Sequence, residues 1–157
     1  MRVENVRAAP TIGREGRRRP AETECTVKYM LMMNYHVEGV PPIDEWAPDD
    51  VRRHIQFQQD LGAELVANGE LVDGQGLAWP ATAKFVTSDG VSAPVVTDGP
   101  FAESKEFLAG YWLVDVEDEA RAIAIAATAS AAPGPGGAPM KQVFEVRALM
   151  EAPAPAE

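Results

Sequence analysis

A chain of 157 residues, 46% of them apolar, suits a single domain with a filled core and no need of disulfides or a structural metal. Its one cysteine, Cys25, excludes an internal disulfide framework and fits a reducing, cytoplasmic setting. No stretch approaches the roughly 18 apolar residues of a membrane span, and Arg17-Arg18-Arg19 is followed by polar residues, not by the apolar run of an export signal.

The net charge of −10 is unevenly spread. Residues 1–24 hold six Arg against four Glu, a net of +2; residues 25–157 hold eight Lys/Arg against twenty Asp/Glu, a net of −12. So acidic a body repels phosphate backbones, so no nucleic-acid partner is expected, and no membrane one. Residues 1–26 read as a disordered extension, because Arg, Glu, Gly and Pro alternate there without an apolar period.

Val27-Lys28-Tyr29-Met30-Leu31-Met32-Met33 is a nearly continuous apolar run, suited to a central strand. Residues 34–47 form a loop, with Pro41-Pro42 forbidding helix. A helix then opens at Pro48, with Asp49 and Asp50 where its dipole favours negative charge. Val51, Ile55, Gln58, Leu61 and Leu65 predict its inner stripe, widened by Phe57, and Asn68-Gly69 supplies the exit.

Glu70 to Leu77 reads as a strand made irregular by Gly74 and Gly76. Ala83 to Thr87 alternates, and Ser88-Asp89-Gly90 turns the chain toward Pro94-Val95-Val96-Thr97. In the strand Phe107 to Val116, Leu108, Gly110, Trp112 and Val114 share one face, and Ala109, Tyr111 and Leu113 the other. An Ala-rich helix from about Glu117 to Ala131 is expected to bury Ala120, Ile123 and Ala127. A Gly/Pro loop, Pro133 to Pro139, leads to a last strand, Gln142 to Leu149, and residues 152–157 read as a disordered tail. Two helices against one largely antiparallel sheet make a ferredoxin-like α+β layer over residues 27–151. The sheet's second face needs cover, which a second copy in a homodimer would supply.

Val95-Val96-Thr97-Asp98-Gly99-Pro100-Phe101-Ala102-Glu103-Ser104-Lys105-Glu106 closely resembles the signature of DGPF proteins, within the wider YCII-related family. Lys28-Tyr29-Met30-Leu31-Met32, Gly74-Gln75-Gly76-Leu77, Gly110-Tyr111-Trp112-Leu113-Val114 and Glu145-Val146-Arg147-Ala148-Leu149 fit in the same order. The resemblance implies a dimeric α+β barrel and does not fix a reaction. Some YCII relatives release chloride from aromatic breakdown products through a His–Asp pair; DGPF relatives often accompany sigma factors, which suggests a regulatory module. Family members commonly begin at the lysine-tyrosine strand, so the resemblance also points to Val27 as a start if its codon is GTG.

His54 is the main catalytic candidate, for it borders the helix stripe and an imidazole can act as base or acid at neutral pH. The alternative is a partly buried ring bonded to backbone. Asp98 is the candidate acid, with a capping or turn role as its alternative. The loop after the first strand, where relatives often hold an acid, reads Asn34-Tyr35-His36-Val37-Glu38 without Asp, so Glu38 and Asp73 are substitutes. Trp79, Phe85, Phe101, Tyr111 and Trp112 are candidate pocket or interface aromatics, core packing being the plain alternative. Two histidines eighteen residues apart and one cysteine match no zinc spacing, and no glycine-rich segment opens a helix as a phosphate loop does. Neither metal nor cofactor is expected. The chain thus reads as a pocket protein for a small organic ligand, either a lyase or hydrolase with His54 as base or a non-catalytic regulatory module. Fold analogy alone adds a cofactor-free oxygenase as a third reading.

Overall fold

The computed structural model describes residues 25–99 and 106–150. The expectations for the N-terminal extension up to residue 24, for the tail 152–157 and for Phe101 lie outside the described residues.

The elements run β1 (Val27–Asn34), α1 (Pro48–Ala67), β2 (Leu71–Gly76), β3 (Lys84–Thr87), β4 (Val95–Asp98), β5 (Leu108–Val116), α2 (Glu119–Ser130) and β6 (Phe144–Ala148). Four strands form one sheet in the order β2-β5-β1-β6, with every neighbour antiparallel. Both helices follow a strand of this sheet, which gives the ferredoxin-like α+β arrangement. β3 and β4 pair only with each other, as a separate two-stranded hairpin.

Strand alternation sets the two faces. Tyr29 and Leu31 of β1, opposite Val114 and Trp112 of β5, turn toward the helices with Val116. Leu61 and Leu65 of α1 and Ala122, Ile125, Ala126 and Ala129 of α2 close over them. Met30, Met32, Tyr111 and Leu113 point to the opposite face, are half-buried and have no described helix over them.

Two helix faces differ from expectation. In α1 the inward positions are Asp50, His54, Phe57, Leu61 and Leu65, while Ile55 is 46% exposed. Leu61 and Leu65 fix the phase, and following their line back by fours and threes reaches His54 instead of Ile55. In α2 the buried face is Ala122, Ile125, Ala126 and Ala129, and Ile123 is 52% exposed. There Asp118 caps the helix by accepting from Arg121 N, and an Ala-rich sequence offers several nearly equal apolar faces. Arg121 also donates to Glu70 through Nε (2.5 Å) and Nη2 (2.7 Å), tying the start of α2 to the turn before β2. This bidentate pair holds the Glu70 carboxyl below its ordinary pKa.

Candidate functional site

A cavity of about 920 Å³ opens where β1 and β2 end and β5 and β6 begin, beneath the first half of α1. Its volume lies in the range that accommodates a small organic molecule. All three tryptophans of the chain, Trp46, Trp79 and Trp112, line it, with Tyr35, Tyr111 and Phe144.

The α1 wall is polar because the helix turns His54 and Gln58 inward before its apolar second half begins. These residues are four apart, so they stand one above the other on one face. His54 Nδ1 lies 3.0 Å from the carbonyl oxygen of Pro133. A carbonyl only accepts, so Nδ1 carries the hydrogen. In the neutral ring Nε2 then presents its lone pair, and it has no partner among the described residues. The ring stands edge-on to Trp46, with centroids 5.4 Å apart and planes at 88°. Trp46 is itself anchored, since its indole Nε1 donates to Pro41 O at 2.8 Å.

Pro133 reaches His54 because the Gly/Pro segment after α2 turns tightly. Gly136 and Gly137 take φ of +66° and +79°, a region open to glycine. Gly134 N donates to Ala138 O, and Met140 N to Ala132 O, so the segment closes on itself beside α1. This segment, read from sequence as a plain loop, supplies the fixed partner of the histidine.

The mouth is framed by two loops held together. Tyr35 stacks on Trp79, with centroids 5.3 Å apart and planes at 20°, and its hydroxyl donates to Leu77 O. Tyr35 N donates to Phe107 O as well. Burial pushes the Tyr35 phenol above its ordinary pKa.

Trp112 lies on the helix side of the sheet. Its six-membered ring packs 3.5 Å from where a Cβ on Gly62 of α1 would stand, and 3.1 Å from the equivalent point on Gly74 of β2. Tyr111 lies on the other face and donates to Asp73 at 2.7 Å. Asp73 also accepts from Gly74 N, and these bonds, that from Tyr111 foremost, hold its pKa down while raising that of Tyr111. Asp73 is thus engaged away from His54, and Glu38 is exposed.

Asp98 lies at the end of β4, hydrogen-bonded to Lys84 across the hairpin, with its side chain 79% exposed. It does not line the cavity, so the structure does not bring Asp98 and His54 together. Gly99 passes so close to Phe85 that an added Cβ would meet the ring at 2.4 Å. A side chain at Gly99 would therefore require the Phe85 ring to shift.

Of the residues singled out from sequence, His54, Trp79, Tyr111 and Trp112 line the cavity; Tyr35 and Trp46 line it without having been singled out, Gln58 was read only as part of the helix stripe, and the Pro133 carbonyl was not foreseen. The i, i+4 spacing of His54 and Gln58 was the available signal for one of them. A backbone carbonyl as partner leaves no mark in side-chain chemistry.

No curated protein matches the chain. Among protein families, the YCII-related domain matches residues 27–145, which is more than half of the sequence and runs from β1 into the start of β6. The chain belongs to the YCII-related family.

Proposed function

We propose that this protein binds a small, largely apolar organic molecule in the cavity under α1 and that His54 Nε2 accepts a hydrogen bond or a proton from it. The observation that carries this reading is a histidine fixed through Nδ1 by Pro133 O, with its other nitrogen unpaired among the described residues that line an aromatic cavity. An imidazole held in one tautomer is positioned to act as a general base on a bound hydroxyl or acidic carbon. No carboxylate among the described residues is hydrogen-bonded to His54, so the orienting role falls to the carbonyl. Binding without turnover, the regulatory alternative, would use the same cavity.

We also propose that a second copy of the chain covers the open face of the sheet. Met30, Met32, Tyr111 and Leu113 lie there with no described helix over them, and a face of mixed apolar and polar residues is suited to a symmetric contact.

The test of the His54 reading is a matched pair of ligands. 2-Naphthol can donate to Nε2, and 2-methoxynaphthalene cannot. Calorimetry should show the naphthol binding about five-fold more tightly, the worth of one neutral hydrogen bond. His54→Leu should erase that difference while leaving both ligands bound. Equal affinity of the two ligands for the wild-type protein would remove the acceptor role.

A further inference from the structure

We infer that the cavity selects an uncharged planar ligand over the equivalent anion, and that Gln58 is the residue that reads the ligand's polar edge. This rests on the cavity being a ligand site.

Three observations support it. First, the polar side chains on the described cavity wall carry amides, hydroxyls, indoles and imidazoles; Asn34, Gln58, Gln75 and Gln142 are among them, and no Lys, Arg, Asp or Glu is. A carboxylate entering this space would give up its water and meet no cation on that wall. Second, the chain as a whole opposes anions. Residues 25–157 hold eight Lys/Arg against twenty Asp/Glu, and the potential of such a body lowers the local concentration of negative solutes. The stretch 100–105, outside the described residues, has one Glu and one Lys and so adds no net charge to this balance.

Third, several of the polar groups at the cavity are already engaged, whereas the indole Nε1 of Trp112 is buried without a partner among the described residues. Tyr35 donates to Leu77 O, Tyr111 to Asp73, and Gln142 Nε2 to Asn34 O at 2.9 Å. Gln58 is half-buried, lines the cavity and makes no side-chain hydrogen bond among the described residues. Its amide offers both donor and acceptor, one helical turn from the His54 lone pair. Together they present two acceptors and a donor along one wall. That pattern complements a neutral amide, lactam or phenol lying flat against the aromatic side chains. A carboxylate brings acceptors only and would face the His54 lone pair with no hydrogen to share.

The test uses 2-naphthamide and 2-naphthoate, which share a ring and differ in charge. Calorimetry on the full chain at pH 7 should give at least about ten-fold tighter binding of the amide. Gln58→Lys, which places a cation on the wall, should close that gap or invert it. Naphthoate binding as tightly as naphthamide to the wild-type protein would overturn the charge inference and leave the ligand site standing. A folded Gln58→Lys variant that keeps the wild-type ratio would overturn the role of Gln58. Binding of neither probe at millimolar concentration would remove both the inference and the ligand site. The wild-type ratio needs no variant, so a misfolded Gln58→Lys protein leaves the charge test intact.

Discussion

Single side chains show how little of this molecule's polar chemistry is left to chance. Arg121 grips Glu70 with two nitrogens at the joint between the second helix and the edge strand, and both side chains are partly exposed. The carboxyl of Glu70 is held below its ordinary value of 4.5, chiefly by that hydrogen bond. A depressed folded-state pKa contributes stability that is fully present above the unfolded value and is lost as pH falls through the folded one. Glu70→Gln should therefore lower stability at neutral pH, on the order of 1 kcal/mol for a partly exposed pair. It should also flatten the loss of stability below the ordinary glutamate range. Urea melts from pH 7 down to pH 3 would check both; a variant that loses stability on acidification as steeply as wild type would contradict the assignment. His54 is a different case, because its partner is a backbone oxygen. Its position beside the apolar stripe was legible in the sequence, since periodicity places a residue on a helix face. Its link to Pro133 was not, because residues 79 apart meet only after both helices have docked.

Among the elements, the strands were the most legible. Alternation along β5 separated Trp112 from Tyr111, and the structure puts the first under the helices and the second on the open face. Helix faces were harder to read. Ile55 and Ile123 are as apolar as any core residue yet stand 46% and 52% exposed. In α1 the inward face changes character midway, from His54 and Gln58 over the cavity to Leu61 and Leu65 over the sheet. A periodicity that expects apolar residues throughout replaces the histidine with the isoleucine beside it. The corrected face has a measurable consequence. Leu65→Ala, at a site 1% exposed, should cost about 2–5 kcal/mol, while Ile55→Ala should stay within about 0.5 kcal/mol. Chemical denaturation of the two variants would decide; equal losses would restore the original stripe. The β3–β4 hairpin was recognised from its turn residues, but that it pairs outside the main sheet was not, because pairing partners of short strands are not written in their alternation.

Over the described residues, the molecule is a two-helix layer on one face of a four-stranded sheet, with a cavity at one end of that layer and no described helix on the other face. No described helix is long and apolar enough to cross a membrane. If a second copy covers the open face, sedimentation equilibrium at micromolar concentration should report a dimer. Leu113→Lys should then shift it toward monomer, and Ile123→Asp, on the outer side of the helix layer, should not. A wild-type protein that sediments only as monomer would contradict the covered face. The cavity itself has built-in reporters, because its three tryptophans are the only ones in the chain. A nitrogen-15 spectrum therefore contains three indole N–H signals, each from the wall of the proposed site. Titration with 2-naphthamide should move all three along one saturable curve. Indole signals that stay fixed at saturating ligand, or backbone shifts confined to the β3–β4 hairpin or the open sheet face, would contradict a ligand site under the first helix.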